Sequence, residues 1–149
     1  MVKEHPYDVR PVGDDCTGLL AVRRLWFADD DPDFEQRFCA WWEQERHQRY
    51  ALVAYAGDEP VGMANGQIFT RMPAAGRPTA RWLYAANVFV AEAHRRRGVG
   101  HRLMTSLIDF ASAQGMVRVV LAPSEMSIPL YASLGFRVAE DLMRLDLEP

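Results

Sequence analysis

Apolar residues along this 149-residue chain follow two rhythms, one of period two and one of helical period. Residues 7–12 alternate polar and apolar and predict a short first strand. Gly13, Asp14 and Asp15 then offer a helix start, and Leu19, Leu20, Val22, Leu25 and Trp26 form an apolar face, weakened by Gly18. A clearer start follows, with Asp31 as N-cap and Pro32 as first helical residue. Phe34, Phe38, Trp41 and Trp42 make the buried face of that second helix, which should end near His47. Two strand-like runs, 50–56 and 60–70, are joined by Gly57, Asp58 and Glu59 as a hairpin. After a loop at 71–79, a third strand at 81–90 completes an antiparallel meander. A helix at 99–114 with Gly115 as its C-cap, then a strand at 117–121, turn the pattern into a βαβ unit. Val117, Val119, Val120 and Leu121 predict a strand covered on both faces. Ser127 can cap a short helix that has Pro129 in its first turn and Gly135 at its end. Residues 136–138 and 142–147 then predict a closing hairpin.

The rhythm changes at Arg95-Arg96-Arg97-Gly98-Val99-Gly100, between the run Asn87-Val88-Phe89-Val90 and the long helix. The first amides of a helix lack intrahelical acceptors, and the macrodipole makes that end attractive to anions. Glycines let a bound group approach the backbone, and arginines add positive field, so a diphosphate suits this turn. It is not a Walker A loop, because His101 and Arg102, not Lys and Ser or Thr, follow Gly100. It is not a dinucleotide fingerprint either: Leu103 stands where the third Gly belongs, and residues 118–122 hold no acid for a ribose.

Composition narrows the choice. The length is that of one domain, residues 1–149, and the apolar share of 49% supports a core without staples. A net charge of −3 argues against general nucleic-acid binding and makes the arginines a local patch. The first seven residues carry no long apolar run, so no signal peptide is expected, and no stretch of 18 apolar residues predicts a membrane span. Cys16 and Cys39 make neither a metal-like pair nor a disulfide framework, which fits a reduced cytoplasmic setting, with one bridge between them left open. No metal cluster is expected.

Arg-x-x-Gly-x-Gly at a helix start resembles the acyl-CoA pyrophosphate loop of the GCN5-related N-acetyltransferase (GNAT) superfamily. Pro129-Leu130-Tyr131-Ala132-Ser133-Leu134-Gly135-Phe136, placed after the βαβ unit, resembles that superfamily's second signature. The resemblance spans nearly the whole chain. It implies an α/β single-domain fold, a mixed sheet of about six to seven strands with about four helices, splayed at the acyl-CoA site. It also implies acetyl-CoA as cosubstrate, without a metal. Backbone amides of Arg95, Arg96, Arg97, Gly98, Val99, Gly100 and His101 would hold the pyrophosphate, with Arg95 and Arg96 as side-chain contributors. The pantetheine arm would pair with the backbone of Val88, Phe89 and Val90 as an added strand does. Many family members carry Asn seven residues before the Tyr; Ser124 stands there and would reach less far. The superfamily often forms homodimers.

Acetyl transfer needs a neutral amine, a polarised thioester carbonyl, both held together, and a proton for the departing thiolate. Tyr131 is the candidate general acid: a phenol with pKa about 10 stays protonated at neutral pH and can protonate a thiolate whose thiol has pKa about 8.5. A base is harder to find; Glu43, Glu45, Glu92 and Glu125 are candidates, and each reads more readily as a solvated residue. His94 reads as solvent-facing, His101 as close to phosphate, and Asn87 either as a residue of the acceptor side or as a satisfied buried amide. Trp26 and Trp41 lie in helices that usually wall the acceptor pocket. The expected function is transfer of acetyl from acetyl-CoA to a primary amine of a small molecule or protein. Two alternatives are a non-catalytic acyl-CoA sensor or scaffold and a nucleotide-binding module.

Overall fold

In the computed structural model, which describes residues 5–148, the chain keeps the predicted order as far as the long helix and departs from it afterwards. Of the N-terminal stretch read for a signal peptide, residues 1–4 lie outside the described residues. The elements are β1 (Tyr7–Pro11), α1 (Thr17–Trp26), α2 (Phe34–Glu45), β2 (Arg49–Ala56), β3 (Glu59–Thr70) and β4 (Arg81–Val90). Then come α3 (Val99–Ala113), β5 (Val119–Val120) and α4 (Ile128–Ser133). The strands form one sheet in the order β1-β2-β3-β4-β5, antiparallel throughout except that β5 runs parallel to β4.

Both faces of the sheet are covered, which explains why β2 is apolar at successive positions. Leu52 and Ala54 pack with Val61, Ala64 and Leu83 against Val99, Leu103, Leu107 and Ala111 of α3. Ala51, Val53 and Met63 face the other way, onto Leu19 and Val22 of α1 and Trp42 of α2. Trp42 is 2% exposed, and its indole N–H donates to the carbonyl of Gly13 at 2.7 Å, so the ring is buried without an unmet donor. Gly18 weakens α1 by propensity but leaves room for the Tyr55 hydroxyl, which a Cβ there would force to shift. The α2 start falls two residues later than Pro32; Asp31 still organises it, accepting from the Asp33 amide at 3.2 Å and, through its carbonyl, from Phe34 at 3.1 Å.

The meander contains one irregularity. Asn65 pairs with Asn87, but the next residue, Gly66, pairs with Ala85, so Ala86 is an extra residue that bulges β4. Past that point β4 loses its outer neighbour: β5 pairs only through Leu83 with Val119 and Tyr84 with Val120. The strand predicted at 117–121 is therefore two residues long, and Val117 is 54% exposed. Its partner turns away at the bulge, which leaves Leu121 no ladder to join. The closing hairpin is likewise absent among the described residues, where the sheet has five strands instead of six to seven. A two-residue outer strand is too short a template, and Val138, Leu142, Leu145 and Leu147 are each at least 80% exposed.

Candidate functional site

Among the described residues the outer edge of β4 from Ala85 to Val90 has no strand beside it, and Val88, Phe89 and Val90 lie on that edge. Val88 and Val90 pack toward α3, while Phe89 points to the opposite face and stacks on Trp26 at 5.1 Å and 9°. The chain then passes through a short 3-10 turn, Glu92–His94, into the arginine loop. Arg95 folds back: its Nε donates to the Val90 carbonyl at 2.9 Å and its guanidinium lies 5.6 Å from the Phe89 ring centre. Arg96 and Arg97 are exposed. Two residues of the loop have positive φ, Arg96 at 61° and Gly98 at 82°. The first helical bond of α3 runs from the Arg102 amide to the Gly98 carbonyl at 3.0 Å, so the amides of Val99, Gly100 and His101 have no helical acceptor. A Cβ on Gly100 would lie 3.4 Å from Leu130 and 3.9 Å from Val90, which places Gly100 in the cleft between β4 and α4. His101 is exposed.

Across that cleft, Tyr131 is 8% exposed and packs with Ala85 of β4 and Met104 of α3, with Val88 and Leu130 around them. Its ring meets Phe136 edge-on at 5.7 Å. The Tyr131 carbonyl accepts from the amides of Leu134 at 3.1 Å and Phe136 at 3.0 Å, a closure that needs the positive φ of Gly135. The Leu-Gly-Phe part of the motif thus ends α4 and holds the Tyr in place. Burial pushes the Tyr131 phenol above its ordinary pKa, so it is protonated at neutral pH. Among the described residues no protein group hydrogen-bonds its hydroxyl. Ser124 is exposed and its hydroxyl donates to Ser127 at 2.9 Å, inside the turn that precedes α4.

On the other face of the sheet lies a cavity of about 440 Å³. Met63, Asn65 and Asn87 form its floor, and Leu19, Phe38 and Trp41 contribute to its walls. Arg23, Arg37 and Arg49 also line it, and no carboxylate does. A second cavity, about 490 Å³, lies at the end of β4 between Trp26, Phe89, Glu92 and Arg95. Asn65, which sequence reasoning missed, is 4% exposed; its Nδ2 donates to Asn87 Oδ1 at 3.1 Å and its own Oδ1 has no partner. An Asn inside an otherwise apolar strand was the signal for it.

The candidate bases do not converge on the first cavity. Glu43 is exposed beside Arg46 at 3.8 Å, Glu45 accepts from Gln48 at 3.1 Å and Arg49 at 3.4 Å, and Glu125 is exposed. Glu92 lines only the second cavity. His94 is not solvent-facing: it is half-buried, with Nδ1 2.9 Å from the hydroxyl of buried Tyr7. The sulfurs of Cys16 and Cys39 are 3.6 Å apart and unbonded, and burial pushes the Cys16 thiol up to about 11. Among the described residues no group of three metal-ligating side chains comes together, and no helix is long and apolar enough to cross a membrane.

The comparisons with known proteins bear on the family and the fold. A curated relative, glucosamine 6-phosphate N-acetyltransferase of Trypanosoma brucei brucei, is 36% identical over 87 residues, 58% of this chain and 57% of that protein. The chain thus spans just over half the length of the curated relative it matches. The crystal structure of a Trypanosoma brucei acetyltransferase superposes with a TM-score of 0.74 at 26% identity, covering 95% of this chain and 99% of that one. A predicted acetyltransferase of Clostridium acetobutylicum, solved with acetyl-CoA, superposes with a TM-score of 0.75 at 16% identity, covering 94% of this chain and 96% of its own; it bears on the fold alone. The acetyltransferase (GNAT) family model matches residues 18–136, and the chain belongs to that family.

Proposed function

We propose that this protein transfers the acetyl group of acetyl-CoA to a primary amine by direct attack while both are bound, with Tyr131 as general acid. The observation that carries the reading is the unpaired edge of β4 from Ala85 to Val90, which runs between buried Tyr131 and the arginine loop. The residues present fit the cofactor. Backbone groups of Val88, Phe89 and Val90 can pair with a pantetheine arm as a missing strand would. The free amides of Val99, Gly100 and His101, with those of Arg96, Arg97 and Gly98, would donate to the pyrophosphate, and there is open space beside Gly98. Arg95 serves as a brace on the strand, leaving Arg96 and Arg97 as the side chains free to meet phosphate. Acetyl-CoA supplies an activated acyl group and a thiolate leaving group.

The chain's own residues supply position and a proton. A backbone N–H on the β4 edge donates to the carbonyl oxygen as negative charge grows there. Tyr131 gives its phenolic proton to the departing sulfur as the amine nitrogen bonds to the carbonyl carbon. The surplus proton of the new amide returns through water to the Tyr131 oxygen, so the enzyme ends as it began. The half-open cleft of about 440 Å³ is of a size for a small-molecule acceptor. The name of the trypanosomal relative, an acetyltransferase for an amino sugar phosphate, supports the same choice.

One observation favours a second reading, a non-catalytic acyl-CoA sensor of the same fold: no carboxylate lines the first cavity to take the amine proton. Tyr131→Phe separates the two. Free CoA release from acetyl-CoA with an amine panel should fall by about 100-fold or more, while calorimetric acetyl-CoA affinity stays within about threefold. Native protein that binds acetyl-CoA and releases no CoA with any amine refutes the catalytic reading.

A further inference from the structure

The charges around the first cavity are unequal in a way that bears on the acceptor. Arg37 pairs with Asp31, and Arg49 pairs with Glu45 at 3.4 Å while its guanidinium lies 5.2 Å from the Trp41 ring centre. Arg23 has no carboxylate within ion-pair distance among the described residues. Its guanidinium rests on the Trp26 and Phe27 rings at 4.9 and 4.6 Å, half-buried, and burial alone lowers its pKa. A cation that has lost part of its hydration without a counter-ion gains from an incoming anion. The floor is unequal too. Two asparagines sit side by side at the centre of the sheet, and after they bond to each other the oxygen of Asn65 remains an acceptor with no donor. A buried orphan acceptor of this kind costs free energy unless something else meets it. Nothing in the lining is negative, and the carboxylates nearest it are already held by Arg37 and Arg49, so a polycation such as an aminoglycoside would meet the uncompensated guanidinium of Arg23 without a free carboxylate.

We propose that the cavity between α1 and α2 takes an amine that also bears an anionic group, phosphate or carboxylate, bound by Arg23 while Asn65 Oδ1 accepts a hydrogen from the amine or an adjacent hydroxyl. This names the acceptor class and rests on the acetyl-transfer reading for the amine's role, but the anion site can be tested without turnover. Calorimetry on protein saturated with CoA measures binding of matched pairs: glucosamine 6-phosphate against glucosamine, and phenylalanine against phenylalaninamide, with sisomicin as polycation. The member bearing phosphate or carboxylate in at least one pair should bind about 10- to 100-fold tighter than its twin without that group. The first pair winning identifies a phosphate site and the second a carboxylate site.

Arg23→Gln should shrink the ratio to about threefold or less, and Arg23→Lys should restore part of it. Should Arg23→Gln fail to fold, the native protein still decides, since the ratio must fall as salt rises from about 0.02 to 0.5 M. Twins without the anionic group, or sisomicin, binding as tightly as the amines that bear it overturns the proposal, as does a ratio that survives Arg23→Gln or ignores salt. The same panel run with acetyl-CoA keeps the two claims apart. An anion preference in binding without CoA release leaves the anion site and removes the reaction. Brisk CoA release with sisomicin and with amines that lack an anionic group, without the ratio, does the reverse.

Discussion

Gly98 is where the backbone of the cofactor loop can be tested in isolation. Its φ of 82° lies in the left-handed region, and a Cβ built on it meets no atom within 4 Å. Gly98→Ala therefore adds conformational strain with no clash, about 1–2 kcal/mol for an L-residue held there. For a chain of 149 residues that lowers Tm by about 3–8 °C. Gly98→Asn should recover part of the loss, since Asn tolerates this region better than Ala. Gly100→Ala is the contrast. Its new methyl would touch Leu130 at 3.4 Å and Val90 at 3.9 Å, ordinary contacts, so Tm should hold while the methyl stands in the cleft that acetyl-CoA would fill. The assay is a thermal melt with acetyl-CoA calorimetry for all three variants. Gly98→Ala with native Tm but lost affinity would mean the loop escapes its strain by moving, and the claim that the fold holds it in place would be wrong. Asn no better than Ala at that position refutes the same claim.

Three further outcomes follow from the packing. Gly66→Ala puts a methyl 2.9 Å from Leu83, 3.0 Å from Leu107 and 3.0 Å from the Tyr50 carbonyl, and should cost about 1–3 kcal/mol in urea unfolding; an unchanged midpoint contradicts it. Iodoacetamide at pH about 8 should label exposed Cys39 in the native protein and reach Cys16, buried and pushed up to about 11, only after unfolding; peptide mass spectrometry showing equal labelling refutes this. Burial raises the phenols of Tyr50 and Tyr131, so on raising pH the unfolded chain ionises first. Their contribution to stability is complete below pH about 10 and is lost as pH rises through the folded values. Urea midpoints that rise above pH 10 would reverse that sign.

The parts of the fold that the sequence displayed are those with a strong local signal. Strands β2, β3 and β4 and helix α3 lie within a residue of their expected bounds, because turn residues punctuate long periodic runs. Both family motifs were legible, and each has a local physical reason: free amides and positive φ at Gly98, and closure of α4 on the Tyr131 carbonyl. What failed was non-local. Val119, Val120 and Leu121 are apolar enough for a full strand, but strand length depends on the partner, and a bulge at Ala86 in another segment withdraws it. The closing hairpin failed with it. The bond from the Arg95 side chain to the Val90 carbonyl was not legible either, since a long side chain takes whichever acceptor the loop presents. Asn65 was passed over because its unmet oxygen exists only once β3 and β4 stand side by side.

The brevity of the β4–β5 seam, two residue pairs, has a thermodynamic consequence. Nearly all the ladder bonding lies in the first four strands, so β5 and α4 are fastened mainly by side chains around Ala85, Met104 and Tyr131. Such a flap is the unit that detaches at lowest free energy while the meander stays intact. A guest stretched along the bare edge would act as a zip between the two, so occupancy of the cleft and order in β5 and α4 should rise and fall together.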